Sequence, residues 1–205
     1  QHNRQFHLKI DAESPKSRRA LKASISFELL GDMPIELLRS DSHSKHLWNP
    51  IAVNCKTNGF FSIEEYGASI LDVAFQGKGY HDRNFGTELL HESLDQWEWG
   101  RAIFATSTLV WYYYPKTMRQ QPLMWAAYFD QPSLMTYKSA LSTGAMIQPK
   151  LQELHGEFDE YRAFASIRQK SNLESSPFYI RTTSEVVFRL NESTMVDKYA
   201  VTEVF

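Results

Sequence analysis

The sequence predicts an all-β protein, an antiparallel barrel or sandwich built from many short strands. Three observations predict it. Apolar and polar residues alternate with period two in segment after segment. Aromatic residues make up 14% of the chain, with ten Tyr and five Trp, and sheets favour such side chains. The connections between the apolar runs are short and polar.

The elements follow in order. The basic run Lys16-Ser17-Arg18-Arg19 falls in a turn-like stretch and reads as a solvated loop. After it, Leu21, Ala23, Ile25, Phe27 and Leu29 point one way, while Lys22, Ser24, Ser26 and Glu28 point the other, the pattern of a half-buried strand. Residues 34–38 allow one or two helical turns. Ile70, Val73 and Phe75 mark a strand stopped by Gly77-Lys78-Gly79. Further strands are expected over 97–108, 109–114, 124–130, 161–170, 178–182, 185–190 and 198–205. Pro115, Gln131-Pro132, Ser171-Asn172 and Asn191-Glu192-Ser193 punctuate them. Leu151, Leu154 and Phe158 have near-helical spacing over a span too short for a core helix, so they read as a connector. No internal repeat is present.

Composition excludes several classes. The formal net charge of −2 offers no basic field for nucleic acid or an anionic membrane. No stretch approaches the ~20 apolar residues of a membrane helix, so the chain reads as soluble. Cys55, the single cysteine, excludes an internal disulfide and a cysteine-cluster zinc site. It fits a reducing compartment, while the sequon at Asn191 leaves the secretory pathway open. The chain opens Gln1-His2-Asn3 without Met or an apolar signal core, which implies that its natural start has been removed.

The segment richest in chemistry is Gly77-Lys78-Gly79-Tyr80-His81-Asp82-Arg83-Asn84-Phe85-Gly86. Its three glycines, flanking His, Asp and Asn, describe a bent backbone that presents polar side chains beside an aromatic wall. Its glycine spacing is not that of a phosphate loop. In Trp97-Glu98-Trp99-Gly100-Arg101, Trp97, Trp99 and Arg101 share one strand face. The guanidinium can stack on the indoles or aim at a carboxylate such as Asp82. Two readings follow, a structural tie between domains and a catalytic role. His81, Asp82, His91 and Glu92 lack the spacing of a metal site. No Gly-x-Ser-x-Gly elbow is present, and Cys55 reads as a buried, inert thiol. Trp111-Tyr112-Tyr113-Tyr114, with Trp125 and Tyr128 on the next strand, forms either a ring-lined cavity or an aromatic core.

The run Gly77-x-Gly79-Tyr80-His81-Asp82-x-Asn84-x-Gly86, followed by His91-Glu92-Ser93 and Trp97-x-Trp99-Gly100-Arg101, resembles the lipocalin-like hydroxyneurosporene synthase (carotenoid 1,2-hydratase) superfamily. It is most similar to the fungal branch that includes Diels–Alderases and hetero-Diels–Alderases of natural-product biosynthesis. The likeness is sharp over 75–101 and looser from Trp48-Asn49-Pro50 onward. Arg83 stands where the family often has His or Lys, and Phe85 where it usually has Trp.

The resemblance implies a lipocalin-like fold of two β-domains, the first incomplete in this chain. Residues 1–75 would be its closing strands, 76–96 a glycine-rich junction and 97–205 the second barrel. A separate N-terminal fragment would complete the first domain. The implied activity is a cofactor-free pericyclase acting on an apolar unsaturated molecule such as a polyene, terpenoid or quinone methide. Such a reaction needs a held reactive pose and hydrogen-bond donors at a carbonyl. Tyr80, His81, Asp82, Arg101 and Lys116 would be catalytic. His91, Trp97, Trp99, Trp111, Tyr112, Tyr114, Trp125 and Tyr128 would bind substrate. The alternatives are a hydratase or isomerase of a polyene or terpenoid, with Asp82 protonating an alkene, and a non-catalytic lipocalin-like carrier.

Overall fold

The computed structural model describes residues 5–30, 46–87, 89, 92, 95–114, 123–130, 133–139, 145–148, 151–158, 161–176 and 179–204. Within these, the side chains of 46–50, 114, 123–125, 127, 129, 133–139, 145–148, 151, 152, 154–158 and 161 are not described. The elements formed by the described residues are β-strands, as the period-two patterning predicts. The chain divides into two compact units, Gln1–Met33 with Pro50–Asp82, and Pro34–Asn49 with Arg83–Phe205.

The first unit holds a four-stranded sheet in the order β1-β2-β3-β4, from β1 (Gln5–Ser14), β2 (Arg19–Leu29), β3 (His46–Glu65) and β4 (Ala68–Gly86). Register puts Phe6, Leu8, Ile10 and Ala12 opposite Phe27, Ile25, Ala23 and Leu21. Those in turn face Thr57, Gly59, Phe61 and Ile63. One face of the sheet is therefore almost wholly apolar. The other carries charge, where Lys22 Nζ meets Glu64 Oε1 at 2.8 Å, while Arg19 Nε meets Glu65 Oε1 at 2.8 Å at the hairpin end of the apolar face. Such exposed pairs set register more than they add stability. Lys16, Ser17 and Arg18 lie in the β1–β2 turn. Tyr66 (φ 53°) and Gly67 (φ 81°) close the β3–β4 hairpin, and two successive positive φ angles match the twist of the flanking strands.

Gly77-Lys78-Gly79 does not stop β4. The strand runs 19 residues to Gly86, and the expected bent loop over 77–86 is extended backbone. Glycine serves close approach here rather than a turn. A Cβ at Gly79 would strike Thr57 Oγ1 and the Phe27 ring, whereas one at Gly77 would meet nothing within 4 Å.

The second unit holds a nine-stranded antiparallel sheet in the order β8-β7-β6-β5-β13-β12-β11-β10-β9. Its strands are β5 (Glu98–Ile103), β6 (Ser107–Tyr114), β7 (Leu123–Asp130), β8 (Ser133–Ser139), β9 (Ala145–Gln148), β10 (Leu151–Phe158), β11 (Tyr161–Ser176), β12 (Tyr179–Leu190) and β13 (Ser193–Val204). Two meanders, β5 to β8 and β9 to β13, are joined where β13 pairs with β5. Cα atoms of β8 and β10 come within 8 Å, so the sheet curls its edges toward each other, as a barrel-type fold requires. Alternate residues fill the inner face: Ala102, Leu109, Trp111, Ala126, Tyr128, Ile167, Val186, Phe188 and Ala200 form its core.

Three expectations need correction. Residues 97–108 are not one strand, because Ala105 and Thr106 turn the chain between β5 and β6, with Phe104 N donating to Ser107 O at 2.8 Å. Ser171-Asn172 does not end a strand. It lies inside β11 where the register with β12 shifts, so the extra residues are absorbed as bulges. Leu151, Leu154 and Phe158 lie on β10, since pairing with β11 along all eight residues overrides the near-helical spacing. Residues 34–38 lie outside the described residues.

Close approach makes the glycines unequal. At Gly100 a Cβ would overlap the Trp111 indole. Gly79→Ala and Gly100→Ala should each cost about 1–3 kcal/mol by overpacking, while Gly77→Ala should stay within about 1 kcal/mol of wild type. Urea unfolding of the three variants checks this, and equal effects at Gly77 and Gly79 would refute it.

Candidate functional site

Tyr80, His81 and Asp82 lie near the end of β4 and belong to the first unit. Period two sends Tyr80 and Asp82 to one side and His81 to the other. The Tyr80 hydroxyl donates to Asp82 Oδ2 at 3.0 Å in a half-buried setting. His81 faces the apolar side, its ring centroid 5.8 Å from that of Phe6. The three residues therefore divide into a Tyr–Asp pair and an exposed imidazole beside the Phe6 ring. A phenol bonded to a carboxyl fixes that carboxyl's orientation, which suits proton transfer to or from a bound molecule.

The second unit gathers other expected residues. Register sets Trp99 opposite Tyr112 and Arg101 opposite Val110, so Trp99, Arg101 and Tyr112 share one sheet face. Trp97 precedes β5 and brings its ring to 5.6 Å from that of Tyr112. The Tyr112 hydroxyl donates to Asn84 Oδ1 at 3.5 Å. Trp97, Trp99 and Tyr112 are all buried. Trp111 and Tyr128 take the opposite, inner face, where they pack in the core. Tyr128 donates to Met195 Sδ at 3.3 Å, and burial pushes its hydroxyl's pKa up. The register of β7 puts Trp125 opposite Tyr112 and Leu123 opposite Tyr114, but the side chains of Trp125 and Tyr114 lie outside the described residues. So do His91 and Lys116 entirely.

Sequence reasoning passed over a polar group on the face that carries Trp99 and Tyr112. Glu203 lies opposite both Trp99 and Arg181, with Arg181 Nε 2.7 Å from Glu203 Oε1. Burial, then Glu203, raises the Tyr179 pKa beside them. The acid and its basic partner are 22 residues apart, and only strand pairing joins them. Asn54, 5% exposed on β3, gave no signal beyond its place next to Cys55. Among the described residues no three His, Cys, Asp or Glu side chains converge as a metal site would require.

Comparison with known proteins follows this geometry. The family described as "Carotenoid hydratase CrtC" matches residues 3–201. A hydroxyneurosporene dehydrogenase from Chlorobaculum tepidum is 24% identical over 211 residues, covering 97% of this chain and 55% of that protein. The chain thus spans about half the length of this relative. Among solved structures, kievitone hydratase from Nectria haematococca aligns with a TM-score of 0.59 and 9% identity, over 96% of this chain and 64% of that one. The protein described as AttH from Nitrosomonas europaea aligns at 0.55 and 14%, over 96% and 67%. At such identities these structures speak for the fold.

Cys55 is fully buried, and burial pushes its thiol pKa from 9.0 up to about 11. The unfolded chain loses this proton first as pH rises. Its contribution to stability is therefore intact below pH 9 and lost between pH 9 and about 11. Urea titrations across that interval should show wild type losing more stability than Cys55→Ala. Parallel losses would contradict it.

Proposed function

Because the chain belongs to the carotenoid hydratase family CrtC, we propose that it adds water across a carbon–carbon double bond of an apolar, unsaturated small molecule. Asp82 is the proton donor and Tyr80 its orienting partner. The observation that carries this reading is the 3.0 Å hydrogen bond from the Tyr80 hydroxyl to Asp82 Oδ2, on a strand inside the matched segment.

An alkene is a feeble base. Protonating it calls for an acid held against one carbon and partly shielded from bulk water. The half-buried Asp82 meets that demand. Transfer of its proton leaves a cation on the neighbouring carbon and a carboxylate that the Tyr80 hydroxyl stabilises. Water then bonds to the cationic carbon and returns a proton to Asp82, so the acid is restored.

The family supports water addition ahead of the cycloaddition expected from the 75–101 motif. A further polypeptide completing the first β-domain belongs to the same proposal. Its support is the apolar sheet face, on which Leu8 remains 45% and Leu21 37% exposed.

Turnover of an acyclic carotenoid in ¹⁸O-labelled water tests the reaction. The product should carry the label. Asp82→Asn should lower kcat roughly 10²- to 10⁴-fold with little change in melting temperature. An unlabelled product isomeric with its substrate would return the case to cycloaddition or isomerisation, and binding without turnover would favour a carrier.

A further inference from the structure

The first sheet ends in an open edge. Among the described residues β1 pairs with β2 alone, and the pairing runs from Gln5 to Ser14 without a register shift. Seven of its ten residues are exposed, so the strand is open to a partner. Edges of this kind are ordinarily blunted by a proline, a bulge or charges that repel a second strand. β1 has neither proline nor bulge, and its charges are arranged to attract a copy of itself. Alternation puts Phe6, Leu8, Ile10 and Ala12 on the apolar face, and His7, Lys9, Asp11 and Glu13 on the polar one. Let two β1 strands run antiparallel about a two-fold axis at Ile10. Lys9 then stands opposite Asp11 of the second copy, His7 opposite Glu13, Leu8 opposite Ala12 and Phe6 opposite Ser14, and symmetry repeats each pair. Asp11 already faces Lys22 of its own β2, so Lys9 of the second copy extends a row of alternating charge. Other centres spoil this. Lys9 as centre opposes two ammonium groups, Asp11 opposes two carboxylates, and Leu8 sets Lys9 against His7. Opposite charges across a strand pair stabilise it and like charges destabilise it, so the pattern selects the Ile10 register.

We propose that β1 is a dimer edge, at which two copies of this chain pair antiparallel about Ile10. Backbone hydrogen bonds along the strand supply the attraction. The Lys9–Asp11 and His7–Glu13 pairs fix the register, and a slip by one residue would turn the apolar face of one copy against the polar face of the other. The axis stands perpendicular to the sheet, so eight strands share one apolar face and one polar face. The contact lies on β1, the Tyr80–Asp82 pair on β4 at the other end of the sheet, and neither reading depends on the other.

Sedimentation equilibrium over a range of protein concentrations tests the pairing, and a species of twice the chain mass of 23.8 kDa is expected. Lys9→Asp sets carboxylates against carboxylates across the axis and should weaken the dimer roughly tenfold or more. Asp11→Lys should do the same. The exchanged variant, Lys9→Asp with Asp11→Lys, restores opposite charges in the same register and should recover most of the affinity, which a damaged fold would not. Ile10→Cys stands on the axis, where opposite Cβ atoms lie about 4.5–5.5 Å apart, and should cross-link two copies on mild oxidation, while Cys55 stays buried. A monomer at every concentration overturns the proposal. So does a dimer that ignores the single reversals, that the exchanged variant fails to recover, or that Ile10→Cys does not cross-link.

Discussion

The second unit depends on the pairing of its first strand with its last. Hairpins between consecutive strands build β5 to β8 and β9 to β13. Among the described residues, the strand pairing that joins the two sets runs from Glu98–Val204 to Arg101–Val201. That contact closes a loop of about a hundred residues, an entropic cost met by local reinforcement. Ile103 N donates to Asp197 Oδ2 at 2.8 Å. The buried hydroxyls of Thr182, Ser184 and Thr202 bond one another at 2.6 and 2.8 Å. Gly100 sits within the same pairing, and its missing side chain leaves room for the Trp111 indole. A side chain at Gly100 would displace the largest fully buried residue of the core.

The first unit solves a similar problem with fewer strands. Gly79 lets β4 lie close to Thr57 and Phe27, and the backbone carries straight on to Tyr80 and Asp82. A carboxyl on a paired strand is held more firmly than one on a loop, which matters where a proton must reach carbon in one geometry. The same rigidity places His81 against Phe6 rather than beside Asp82, although the two are neighbours in sequence.

Water addition and cycloaddition ask different things of one scaffold. Both need an apolar surface; hydration needs an acid and a positioned water besides, and cycloaddition needs donors at a carbonyl. A shared motif fixes where residues stand and not which reaction they serve, so the likeness over 75–101 alone could not choose between them. The family as a whole, matched along nearly the entire chain, gives hydration the stronger support.

Much of the fold was legible in the sequence. Alternation over Leu21 to Leu29 gave β2 and its half-buried character, whereas Tyr80 and Asp82 fell in a stretch whose glycines read as a bend, and their common side appeared only with the extended backbone. Period two, however, says only that side chains alternate. It does not say which side faces inward or which strand lies alongside. Tertiary structure therefore decided that Trp111 packs in the core while Tyr112 is buried on the other face of the sheet, that Glu203 pairs with Arg181 and lies opposite Trp99, and that Gly77 to Gly86 is strand rather than bend.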